Sequence, residues 1–402
     1  MVYDLTDAEF LRDPTPVLAQ MRDDAAVVRI KIPLIGKIWI TTNDATSRKL
    51  LKSPDLFARD NVKATGKTNA QKFWWLPRSI KPLMSNMLGV DGAEHARLRG
   101  LVDQAFSRTE IDDMRPALAT MADGLLDAID PHAPTEIIST YARPLPLMAI
   151  CELLGVDAAD RDKVARWISP ISGKTTFWNM LRALPGLRKT LRHFRADFDH
   201  VRTTGRPGLI RDLVEAEDAG DTLTDDELLA MVFTLFVAGH ETTVHLIGNS
   251  LYGLLSNPDT RAVLADDPAN VAIMVEEFMR HTSPVMMTKP HFVTADTTFD
   301  GVALNQGDMV AALLIGANHD PARHDNPTEF RPLRRPNAHI GFGHGPHVCL
   351  GMQLARAEAQ VAITQLFTRF PNVRLADENS PVRYIKRTGL HGLHQLNVVL
   401  KP

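Results

Sequence analysis

"FGHGPHVCLG" (residues 342–351) sets Cys349, one of only two cysteines in the chain, behind glycines at 343 and 345 and beside His344 and His347. Several chemistries compete for such a cysteine. A zinc site takes about four Cys or His ligands at recognisable spacing, and one cysteine with two nearby histidines falls short of that set. A cysteine nucleophile activated by His347 needs the two side chains to meet, yet neighbours two positions apart in a turn point apart, and no oxyanion context is legible.

A thiolate bound to haem iron is the third reading, and the surroundings support it best. A ligating sulfur must approach a flat porphyrin face, so the absence of side chains at Gly343, Gly345 and Gly351 leaves room for the ring. The following "LGMQLARAEAQVAITQLF" is a strong helix pattern whose first N–H groups favour an anion at the cysteine. His347 would then point at a haem propionate rather than at the sulfur.

Outward from this loop the chain reads as mainly α with small β-sheets. Apolar residues recur at three- and four-residue spacing from Ala93 to His281, while "KIWITT", "HFVTADTTFDG", "DMVAALLIGAN" and "LHQLNVVL" carry strand patterns. The longest helix pattern starts at Thr224, whose "TDDE" forms a capping box with Glu227, and runs to Asn257 before Pro258. Inside it "FVAGHETT" places a glycine and four polar groups in an otherwise apolar helix, which costs stability unless each finds a partner. Thr242 is expected to bond the Ala238 carbonyl one turn back and locally open the helix. His240 and His245 lie five positions apart, off a common face, and read as packing or solvent contacts. Cys151 reads as a buried core thiol.

A net charge of -3 excludes a generalised nucleic-acid surface. No run approaches the ~18 apolar residues that span a bilayer. The start "MVYDLTDAEF" carries acids where a signal peptide carries bases. A cytoplasmic, monomeric protein without membrane contact is expected, with residues 1–402 forming a single domain, since no repeat or linker divides the chain.

Together these segments resemble the cytochromes P-450. "FGHGPHVCLG" is similar to that family's haem-binding loop, "AGHETT" to its oxygen-binding groove, "EEFMR" to its Glu-x-x-Arg helix, and "DGAEHARLRGLVDQAF" to the helix whose His and Arg hold haem propionates. "ANHDP" and "NPTEFRPLRRPN" resemble the meander leading into the cysteine loop.

The resemblance implies a cytochrome P-450 fold and a haem-thiolate monooxygenase that uses dioxygen to hydroxylate or epoxidise a hydrophobic small molecule. A haem sensor without turnover and a peroxide-driven enzyme are the alternatives, and neither requires the acid and alcohol of the groove. Haem b would be held by Cys349, the iron ligand, with Ala238, Gly239, Phe342, Gly343 and Gly351 around the ring and His95, Arg99 and His347 at the propionates. His291 stands where the family usually has a propionate-binding arginine. Glu241 and Thr242 would be catalytic. Glu277 and Arg280 would be structural, joined by Arg331 or Arg334. Trp74, Trp75, Phe233, Val237, Val285, Met286 and Leu390 would face the substrate. Electrons would come from a ferredoxin and its reductase, docking on the cysteine side near Arg97 and Arg356.

Overall fold

The computed structural model describes residues 2–33, 35–66, 78–84, 86–168, 177–218, 223–379 and 381–401. Trp74 and Trp75 lie outside the described residues.

The helix running through the middle of the protein, Asp225–Ser256, begins and ends where its caps dictate. The Thr224 side chain accepts from the Glu227 amide while the Glu227 carboxylate accepts from the Thr224 amide, and Asn257 closes the other end. Among the described residues it alone is long and apolar enough to cross a membrane, yet it lies largely buried in the protein. Its N-terminal half, Leu228 to Phe236, packs into one apolar cluster with Ile150, Phe194 and Leu354. Its C-terminal half, Val244 to Leu254, packs into a second with Phe278, Ile363 and Leu366. The polar residues 239–243 therefore fall at the junction of two cores, where apolar packing gives way. The helix passes through them unbroken, contrary to the expected opening, because Thr242 adds its bond to the Ala238 carbonyl at 2.9 Å without displacing the backbone ladder.

Among the described residues eleven strands form small sheets. In chain order they are β1 Val2–Tyr3, β2 Val27–Ile32, β3 Gly36–Thr41, β4 Phe57–Ala58, β5 Thr135–Glu136, β6 His291–Val293, β7 Thr297–Phe299, β8 Val302–Leu304, β9 Met309–Ala311, β10 Arg374–Leu375 and β11 Asn397–Val399. The largest sheet has the order β1-β2-β3-β9-β6-β4. Its outer pair, β4 and β6, is antiparallel with Ala58 opposite Phe292 and Phe57 opposite Val293. That register brings the segment just after Ala58 beside the start of β6.

The Glu-x-x-Arg helix, Val271–Thr282, anchors the meander. Glu277 and Arg280 are completely buried and joined at 2.7 Å. Arg334 is the third member, its Nε donating to Glu277 at 3.0 Å, whereas the Arg331 side chain turns to Asp325 and Glu329 and only its amide reaches Glu277. Arg280 also donates to the carbonyls of Asn318, Pro327 and Glu329. Three chain segments thus share one buried charge cluster, which fixes the strand-free stretch leading into the cysteine loop.

Candidate functional site

Cys349 stands just ahead of the helix Met352–Arg369, whose N-cap is Gly351. Its amide donates to the Phe342 carbonyl at 2.8 Å, closing the loop on itself. The side chain is solvent-accessible although protein surrounds it closely, as for a group in the wall of a recess. Burial pushes the thiol's pKa up, and the Gly351 N–H and the charges of Arg99 and Arg356 only partly offset that rise. The amide and the two guanidiniums all favour a thiolate here. Among the described residues no three Cys, His, Asp or Glu side chains converge as metal ligands, so the zinc reading has no ligand set.

The loop glycines divide by role. A Cβ on Gly343 or Gly351 would meet nothing nearer than 3.8 Å, an ordinary contact, so neither is required by crowding. Gly343 and Gly345 are both left-handed, at φ +78° and +75°, and Gly345 also lies so near the Leu51 carbonyl that a Cβ would sit 2.2 Å from its oxygen. Pro346 biases the residue before it towards extended backbone, but Gly345, lacking a Cβ, escapes that restriction and turns left-handed. Phe342 is half-buried beneath the Arg356 guanidinium, 4.9 Å from the ring centre.

On the central helix, Ala238 is exposed and Thr242 half-exposed, although their neighbours His240, Glu241 and Thr243 are buried. Residues four apart share a face, so this accessible stripe is a second recess wall. Glu241 is held by Arg387, Nη1 to Oε2 at 2.5 Å, from the C-terminal segment. Gly239, between Ala238 and Thr242, is half-buried. A Cβ there would come within 3.0 Å of Ile150, so the glycine serves the close approach of the helix Pro144–Leu154. His240 and His245 are buried rather than solvent-facing, and desolvation followed by repulsion from Arg143 lowers their pKa to about 4 and about 3.

A third group gathers where the helix Gly92–Gly100 meets the cysteine loop. His95 and His347 lie ring against ring, centroids 4.1 Å apart, and His347 Nε2 reaches Asp91 at 3.4 Å. Burial, then repulsion from His347 and Arg99, lowers His95 to about 4. Burial alone would raise Asp91, but hydrogen bonds from His347 and from the Asp60 and Arg59 amides outweigh it and leave its pKa low. Arg99 grips the loop itself, donating to the Val348 and Pro346 carbonyls at 2.7 and 3.2 Å, with its Nε on Asp103. His291 is buried nearby, its pKa pushed well down by desolvation and then by Arg59 and His347.

Of the residues expected at the substrate, Phe233 and Val237 are half-buried on the central helix, and Val285 bridges Leu390. Met286 is corrected: it is fully buried among Ile30, Ile40 and Leu313 in the core behind the large sheet, leaving no surface for a ligand. Arg97 and Arg356 are also committed inside the chain, to Glu227 and Glu276. Neither is a free cation for an acidic partner.

The sequence reading missed Arg59, Arg387 and Glu358. Glu358 lies wholly buried beside Thr243, with neither carboxylate oxygen hydrogen-bonded among the described residues, and burial raises its pKa well above the carboxylate range. Its position on the same helical face as Leu354, Ala357 and Ala362 was the available signal. An acid whose pKa is raised by folding contributes its stability below the unfolded value of about 4.3, and loses it as pH climbs towards the folded value. Glu358→Gln is therefore expected to gain thermal stability over wild type, by more at pH 8 than at pH 5. An advantage independent of pH in melts at the two values would contradict a neutral Glu358.

The family model for cytochrome P450 matches residues 175–267 and 270–400. The chain is 34% identical to the vitamin D(3) 25-hydroxylase of Pseudonocardia autotrophica, covering 100% of this chain and 97% of that protein. It is 33% identical to the polyketide biosynthesis cytochrome P450 PksS of Bacillus subtilis, covering 98% and 97%. The crystal structure of myxobacterial cytochrome P450 CYP267B1 in complex with myristic acid matches with a TM-score of 0.92 at 35% identity, covering 99% of each chain. With its cysteine just ahead of a helix, its long central helix carrying the polar residues 239–243 and these likenesses, the chain belongs to the cytochrome P450 family and is a haem-thiolate monooxygenase.

Proposed function

We propose that residues 1–402 form a single haem domain in which Cys349 is the axial ligand of haem b. The observation that carries this reading is the accessible Cys349 sulfur, with the Gly351 N–H directed at it, set in the wall of a recess. The residues at the edge fit a carboxylate-bearing group: the Nε of buried Arg59 and the Nδ1 of buried His291 have no hydrogen-bond partner among the described residues. His95, His347 and Arg99 stand with them. Thiolate-ligated haem supplies the activation of dioxygen when bound.

The chain's own contribution is to deliver protons and to exclude water. Glu241 Oε2, held by Arg387, is the acid; Thr242 Oγ1, one residue on and half-exposed to the recess, is the hydroxyl that passes its proton inward. Release of Arg387 frees Glu241, so the C-terminal segment that carries Leu390 also governs the acid. Phe233, Val237, Val285 and Leu390 give a hydrophobic organic substrate an apolar lining. A separate ferredoxin and its reductase supply the two electrons, and the protein works as a cytoplasmic monomer.

Thr242→Ala is expected to keep its haem but to divert reducing equivalents to peroxide, with product per electron pair falling by about tenfold or more, as for loss of a positioned proton donor. Measured peroxide and product yields check this. Coupled product formation at the wild-type level would remove Thr242 from the relay.

A further inference from the structure

His291 poses a charge problem that Arg59 resolves. A group with two carboxylates needs cations at its edge, and on the reading above three residues there are histidines. Two of them, His95 and His291, are held neutral by burial. Arg99 spends its Nη1 and Nε on the Val348 and Pro346 carbonyls and on Asp103. A further buried cation lies across the sheet. Arg59 follows directly on β4, whose antiparallel pairing sets Phe57 against Val293 and Ala58 against Phe292, so it lies near the start of β6 at His291, and its charge acts on that imidazole.

Arg59 is buried, at 9% exposure, and its Nη1 donates to the Lys289 carbonyl at 2.7 Å. Asp91 accepts from the backbone amide of Arg59 rather than from the guanidinium, and Nε has no partner among the described residues. A buried guanidinium N–H left unbonded is costly; the Nδ1 of His291, whose ring feels the Arg59 charge, is likewise unbonded among the described residues. Lys289, two positions before His291 and bonded through its carbonyl to Arg59, is accessible although closely surrounded by protein, as Cys349 is. Desolvation, then repulsion from Arg59, lowers its ammonium to about 8, which leaves it mostly charged at neutral pH. Two cations therefore cluster about the position where a histidine stands.

We infer that Arg59, seconded by Lys289, binds the haem carboxylate that the side chain at position 291 would otherwise hold, so that the edge cation has moved across the strand pair from 291 to 59. This rests on the haem-thiolate reading and extends it to a positioning residue. The displaced charge explains how His291 is tolerated: the nearby guanidinium supplies the charge, and a neutral imidazole avoids placing a second cation against it.

The test uses the purified holoprotein and measures haem transfer to excess apomyoglobin, together with the haem midpoint potential. Arg59→Met is expected to lose haem roughly tenfold faster, the effect of one lost charge-assisted hydrogen bond, and to shift the potential to more negative values. Arg59→Lys should stay close to wild type. The double variant Arg59→Met/His291→Arg should recover both the slow transfer and the potential, which no purely structural role of Arg59 predicts. Transfer from Arg59→Met within twofold of wild type, or a double variant no better than Arg59→Met, would overturn the inference. The reduced carbon-monoxide spectrum of wild type separates the two levels: a thiolate-type band with unchanged Arg59→Met kinetics removes only the role of Arg59, whereas its absence removes the haem-thiolate reading itself.

Discussion

Cys349→Ser is expected to fold, to bind haem weakly, and to lose dioxygen-dependent turnover to undetectable levels. The argument is electrostatic. In the native loop one amide and two guanidiniums are arranged around the sulfur to favour its anion, against the cost of burial. A serine hydroxyl keeps the shape but, with an intrinsic acidity far weaker than a thiol's, stays protonated there, and the electron donation that favours O–O cleavage is lost. The loop itself should persist, because its bonds are backbone ones, from Cys349 to Phe342 and from Val348 to Gly345, with Arg99 gripping the Val348 carbonyl. Haem stoichiometry and oxygen uptake with substrate check the two halves separately. Turnover retained by the serine variant would move the chemistry away from position 349.

The second large effect is on stability. Glu277→Ala is expected to destabilise the protein by about 3–5 kcal/mol, since it strands Arg280 and Arg334 as uncompensated buried charges. Simple ion pairs can often be replaced by apolar residues without loss, but this one cannot. Arg280 also satisfies the carbonyls of Asn318, Pro327 and Glu329, and Arg334 those of Asp325, Asn326 and Glu329. A Glu277→Leu/Arg280→Met variant should therefore remain destabilised, because it leaves buried carbonyls without donors. Urea unfolding followed by far-ultraviolet circular dichroism measures both variants. A double variant as stable as wild type would show that the cluster does not hold the meander.

The features legible in the sequence are those set by neighbours along the chain. Thr224 and Glu227 announce the start of the central helix, and the run after Cys349 announces the helix that presents it, because caps and periodicity act over one or two turns. The missed features depend on what the fold brings together. Gly239 reads as part of a groove, and its second role, the close approach of Ile150 from another helix, is set only by the fold. Met286 follows the same segment as Val285 but points into the opposite core, the strand-like alternation that a single motif does not fix. Arg59 and His291 are brought near each other by the pairing of β4 with β6, which no local pattern specifies. Arg334 could be named in advance only as one of two candidates, since the choice against Arg331 is made by burial at Glu277.

The central claim is that Cys349 holds haem iron as a thiolate, and the absorbance spectrum of the reduced, carbon-monoxide-bound wild-type protein tests it most directly. The account predicts a single, strongly red-shifted Soret band, which Cys349→Ser lacks. A Soret band at the position given by histidine or other neutral ligation, in protein with a full complement of haem, would contradict it.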